Sequence, residues 1–150
     1  MDLKQFTTES EPLILADLDP EFKALEGEVE VAERVTVVVR QATMQDNMKR
    51  ADLNKKRERR LIADDMGQVG AIGQVYESNP LRRAMYETYW TLNSVSNLTV
   101  DGKPVFSKMP VNQMSWPEFD AAWGSLNPIV ARAIHAAVLK VNPDWADLGE

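Results

Sequence analysis

His135 is the only imidazole in the chain, and general acid–base or metal chemistry there needs a charged partner close by. No acidic residue stands at i±3 or i±4 from it, and its surroundings, "NPIVARAIHAAVLKVNPDW", read as a helix. It is therefore expected to be a half-buried or surface histidine. The tightest carboxylate pairs are Asp64-Asp65 and Asp144 with Asp147. Adjacent residues point to different helix faces, and neither pair has a second cluster to complete a metal shell, so charged helix ends account for both. The absence of cysteine excludes thiolate nucleophiles, disulfides and cysteine metal sites. "GQVGAIG" lacks both the dinucleotide fingerprint and the lysine-containing ending of a phosphate loop, and reads as a hinge. No catalytic, cofactor-binding or metal-ligating residue is assigned, and the chain reads as a non-enzyme.

The remaining chemistry is that of contact. Lys49, Arg50, Lys55, Lys56, Arg57, Arg59 and Arg60 form a basic run that could track phosphates. Asp46, Asp52 and Glu58 interrupt it, no aromatic residue lies within it, and the whole chain carries a formal charge of −6. A solvated face or a protein contact outweighs nucleic-acid binding, which stays as the alternative. Tyr86, Tyr89 and Trp90 could form an interface hot spot or seal a core; core is favoured for Trp90 and Tyr86 is left open. The seven methionines offer adaptable contact surface. Lys55, Lys56, Arg57, Arg59, Arg60, Tyr86, Met48 and Met85 are the candidate protein-binding residues.

These residues must be positioned by a chain of 150 residues, enough for one core of modest size. Residues 1 to 33 carry ten acidic groups against two basic ones, and the expectation is a partly ordered acidic arm over 1–27, a globular domain over 28–146 and a tail over 147–150. Alternating valines between Val29 and Val39 predict a small β element over 28–40, broken near Ala32 and Glu33. Helices are predicted near 44–63, 80–96, 116–123 and 128–141. Thr43, Asn79, Ser115 and Asn127 serve as their caps, with Pro80, Pro117 and Pro128 in first turns. Asp101-Gly102 predicts a short hairpin over 98–106. The fold class is α+β, predominantly helical, with four main helices. No segment approaches the roughly 20 apolar residues of a membrane helix.

"VDGKPVF" followed by "WPEFDAAWGSLNPIVARAIHAAVLKVNPDW" resembles the ordering found in tail assembly chaperones of long-tailed bacteriophages: a Gly-containing turn, a Phe-containing helix, a break, a helix of small and aliphatic residues and a closing Asn-Pro-x-Trp. "RVTVVVRQATMQD" is similar to the strand and threonine-capped helix with which such proteins begin, and "NPLRRAMYETYWTLNSVSNLTVDG" to their central helix. The likeness covers residues 34 to 146. The basic run and the acidic arm fall outside its pattern.

The resemblance implies a small non-enzymatic protein of the host cytoplasm, absent from the mature virion. It would bind the tape-measure protein, keep its helices soluble and help recruit tail-tube subunits, with room for self-association, and without membrane or cofactor. A chain ending at Glu150 would correspond to the shorter product where the family makes a frameshifted longer one.

Overall fold

The computed structural model describes residues 9–53 and 79–146. It is a mixed α+β fold with helix predominating. The central element is α6 (Pro128–Val141). Asn127 caps it by accepting the Ile129 N–H at 2.8 Å, and Pro128 occupies the first turn, where a missing N–H leaves no bond unmade. Val130, Ala133, Ile134, Ala137 and Val138 repeat at i, i+3, i+4, i+7 and i+8, and all are buried.

A three-stranded antiparallel sheet packs against this stripe in the order β1 (Leu13–Ile14), β2 (Thr36–Val39), β3 (Leu92–Ser96). Thr36 faces Ser96, Val37 faces Val95 and Val39 faces Leu92, with an irregularity between Val38 and Val39. Val37 and Val39 point into the core while Thr36 and Val38 are half-buried, the alternation that a sheet with one covered face imposes.

The strand is shorter than the valine pattern over 28–40 suggests. Val31–Glu33 forms a 3₁₀ turn, and Val31 is 72% exposed. The flank of β2 that this segment would need is already occupied, because Leu13 and Ile14 pair with Val37 and Thr36.

That pairing also changes the expectation for the acidic N-terminal segment. Leu15, Ala16 and Phe22 belong to the same core as α6. They lie on α1 (Leu15–Leu18) and α2 (Pro20–Glu26), two short helices separated by Asp19. Asp19 accepts the N–H groups of Glu21 and Phe22 and so starts α2.

The helix α3 begins at residue 44 and is described to residue 53. Thr43 and Asp46 form its capping box: the Asp46 N–H donates to Thr43 Oγ1 at 3.3 Å and the Thr43 N–H donates to Asp46 Oδ2 at 2.9 Å. The expected continuation to 63 lies outside the described residues.

The next helix, α4 (Pro80–Thr91), opens on the Asn79 cap as the sequence indicates. It does not run to residue 96. Leu92, Val95 and their neighbours fit a helical stripe and a strand equally well, and β2 still requires a hydrogen-bonded partner along its second edge. Residues 92–96 supply it. Thr88 and Thr91 donate their hydroxyls back to the carbonyls of Ala84 and Glu87, a side-chain competition that suits a last turn.

The hairpin is β4 (Thr99–Val100) with β5 (Lys103–Pro104). Its turn residues Asp101 and Gly102 both have positive φ, as a tight two-residue hairpin turn demands. Finally, α5 (Trp116–Gly124) starts at Ser115, whose hydroxyl accepts the Glu118 N–H and donates to the Glu118 carboxylate. Fully buried Phe119 lies between Phe106 and Trp123, with ring centroids 5.7 and 5.9 Å away.

No helix among the described residues is long and apolar enough to cross a membrane.

Candidate functional site

Where the N-terminal half of α4 runs beside the start of α6, the two facing stripes carry small residues. Ala84 follows Pro80 by one turn, and Ala131 follows Pro128 and precedes His135 by another. Short side chains on both helices leave a groove of about 500 Å³, lined also by Trp123, Gly124 and Leu126 at the α5–α6 corner. Leu81 stands on its rim and is 82% exposed. Its walls are mostly apolar, the common character of ligand and helix-docking clefts.

Four ionisable side chains, Arg83, Glu87, Arg132 and His135, interrupt that apolar wall, and two of them meet each other. Glu87, on α4, is 1% exposed, and its Oε2 accepts a hydrogen bond from Arg50 Nε at 2.7 Å. Its Oε1 lies 2.8 Å from His135 Nε2. An ionised carboxylate only accepts, so the imidazole is the donor in this bond. Arg50 belongs to α3 and reaches further: its Nη2 donates to the Trp145 carbonyl at 3.1 Å, and its guanidinium carbon lies 5.9 Å from the centroid of the Trp145 ring. Glu87 thus joins three helices through one buried carboxylate.

The lone histidine is therefore not without an acidic neighbour. The partner comes from another helix, 48 positions away in sequence, where inspection at i±3 and i±4 cannot find it. The sequence held one faint signal. Ala84 and Glu87 continue a stripe next to the obvious apolar face of α4, and His135 sits one residue from the α6 core stripe.

Trp145 closes the back of this arrangement. It is buried, its ring stands edge-on to Trp90 at 6.4 Å, and its indole N–H donates to Asn47 Oδ1 at 2.8 Å. Asn142, the residue that ends α6, accepts the Ala42 N–H at 2.7 Å and donates to the carbonyls of Arg40 and Val138. The closing Asn-Pro-x-Trp holds the entry to α3 in place and also stops a helix.

Two further ion pairs fix the frame. Burial alone would push the Asp46 carboxyl up, but Arg40 at 2.7 Å and the Thr43 N–H and hydroxyl hold it below the ordinary carboxylate range. Asp19 is held below that range chiefly by Arg132 at 3.0 Å, against its burial and with help from the Phe22 and Glu21 N–H groups. Arg132 also meets Glu21 at 3.0 Å, and both carboxylates raise its pKa. It lines the groove from α6 and ties that wall to the α1–α2 corner.

The candidate binding residues that are described are not gathered at one place. Lys55, Lys56, Arg57, Arg59 and Arg60 lie outside the described residues. Met48 is 61% exposed on α3, one turn from exposed Met44. Met85 is 6% exposed and packs in the core, so its thioether is spent on internal contacts. Tyr86 stacks on Trp116 with ring centroids 4.4 Å apart and planes within 8°, on a face of α4 other than the groove wall. Tyr89, beside it, donates its hydroxyl to the Met114 carbonyl at 2.7 Å. Trp90 packs against the core, the role preferred from the sequence.

No protein-family model, no curated protein and no solved structure matches the chain.

Proposed function

We propose that this protein is a stoichiometric, non-catalytic assembly factor of the phage tail chaperone type, and that it binds an amphipathic helix of the tape-measure protein in the groove between α4 and α6. The observation that carries the reading is the groove itself: an apolar cleft of about 500 Å³ beside an 82% exposed leucine. An amphipathic helix offers side chains at i, i+3 and i+4 that such a cleft takes in as anchors. The resemblance in residues 34 to 146 supplies the client, and an acidic, highly charged exterior keeps a complex with an apolar helix in solution. Recruitment of tail-tube subunits, action in the host cytoplasm and absence from the finished virion belong to the same reading.

The test is co-expression with a tape-measure fragment. The native chain is expected to raise the soluble fraction of the fragment, and Ala131→Trp, which fills the groove, is expected to abolish that gain while leaving the far-ultraviolet circular dichroism unchanged. Equal precipitation with and without the native chain overturns the function. Full activity of a folded Ala131→Trp variant overturns the assignment of the groove.

A further inference from the structure

The helix α3 is attached to the rest of the protein in an unusual way. Among its described residues, none belongs to the buried apolar core, and its one buried side chain is the carboxylate of Asp46. Met44 and Met48 face outward. The bonds that fasten its described residues are polar and include Arg40 to Asp46, Trp145 Nε1 to Asn47, and Arg50 to both Glu87 and the Trp145 carbonyl. By contrast, the helices that carry Glu87 and His135 are pinned by fully buried neighbours: Thr88 and Thr91 on α4, Ala133 and Ile134 on α6.

Glu87 therefore divides one negative charge between a permanent cation on a polar-fastened helix and an imidazole on a core-fastened one. A neutral imidazole donates a bond assisted by the charge of the carboxylate alone, whereas an imidazolium adds its own positive charge, pulls harder on Glu87 and repels Arg50 across the shared carboxylate. Among the described residues, the charged groups around His135 are Glu87 and Arg83 on α4, Arg132 on its own helix and Arg50 on α3. Asp19 and Glu21, from the α1–α2 corner, are engaged with Arg132. Strand β2 contributes only Thr36 and three valines, and Asp17 of α1 and Asp144 after α6 are exposed. Glu87 is the only carboxylate in contact with the imidazole among the described residues.

We propose that His135 is a proton-operated latch for α3: when the imidazole gains a proton it draws Glu87 away from Arg50, and α3 together with the Trp145 clamp loosens. Histidine ordinarily changes charge between about pH 5 and 8. Asp46, held below the usual carboxylate range, keeps its bond to Arg40 throughout that window, so the Arg50 end of α3 is the end that opens. The latch operates without any occupant in the groove.

The experiment follows the single imidazole by NMR from pH 8 to 5 while amide hydrogen exchange is measured along residues 47–50, corrected for the intrinsic dependence of exchange on pH. Protection at 47–50 is expected to fall by roughly tenfold with the same midpoint as the imidazole titration, the effect of one added unit charge beside Arg50 at a half-buried site. The Trp145 indole N–H signal is expected to shift in step. His135→Gln, which can still donate to Glu87 but carries no charge, is expected to keep its protection across the range. The proposal is overturned if the imidazole does not titrate in that range, if protection at 47–50 stays level while it titrates, or if folded His135→Gln loosens in acid as the native chain does.

Discussion

Glu87→Gln is the sharpest perturbation of this fold, because it changes one heavy atom and disturbs three helices. The amide keeps one acceptor oxygen and presents an N–H₂ where the second oxygen was; with the N–H₂ toward His135 the imidazole must change tautomer to accept, and Arg50 is left facing a neutral oxygen in place of a carboxylate. Glu87 is wholly buried and the Arg50 side chain is 14% exposed, so solvent replaces little of the lost interaction. A lost hydrogen bond to a charged group costs about 1.5–3 kcal/mol, and breaking one side of a buried ion pair costs about 3–5 kcal/mol. The remaining bond from Arg50 to the Trp145 carbonyl relieves part of this, which places the expected loss near ~3 kcal/mol. For a chain of this size that corresponds to a fall in melting temperature of roughly 6–12 °C.

Urea unfolding followed by tryptophan fluorescence measures the loss directly, with the m value expected to stay unchanged. The triple replacement Arg50→Met, Glu87→Leu, His135→Leu supplies the control. Removing the whole charged set restores most of the stability, because no buried charge is left without its partner. A loss below about 1 kcal/mol in Glu87→Gln refutes the reasoning, since it would mean that Arg50 and His135 are satisfied without the carboxylate.

Two further outcomes are expected. Asp19 and Asp46 have folded-state pKa values below their unfolded ones, so their stabilisation is complete above about pH 3.9 and is lost as pH falls through the lower folded-state values. Thermal melts from pH 6 to 2 are expected to show that decline and to show it flattened in Asp46→Asn; equal slopes would mean that Asp46 contributes nothing to it. Asn142→Ala removes the acceptor for the Ala42 N–H and two donor contacts, an expected loss of about 2 kcal/mol, seen as a lower urea midpoint and faster exchange of the Ala42 amide.

Much of the local structure could be read from single residues. Thr43, Asn79, Ser115 and Asn127 each start a helix, and Asp101-Gly102 turns a hairpin, because these signals act over three or four positions and depend on nothing further away. What could not be read depended on a distant partner. The change from helix to strand at Leu92 is settled by the open edge of β2, more than fifty residues earlier. The acidic N-terminal segment looks like an arm by charge, yet Leu15 and Phe22 are buried because α6 presents a stripe for them. The pairing of His135 with Glu87 has no local pattern, since each side chain is ordinary on its own helix.

The bonds made by Asn142 and Trp145 carry a consequence for how the protein is made. Ala42 waits for Asn142 across 100 residues, Asn47 waits for Trp145 across 98, and Asp19 waits for Arg132 across 113. Native contacts of such separation form slowly, and they cannot form at all while the later partner is still inside the ribosome. The first half of the chain therefore emerges with its sheet and α3 unfinished, and the entry to α3 gains its last bonds only when residues 142–145 arrive. A nascent chain halted before residue 142 can still pair its three strands, but it lacks the bonds that hold Ala42 and Asn47 at the entry to α3.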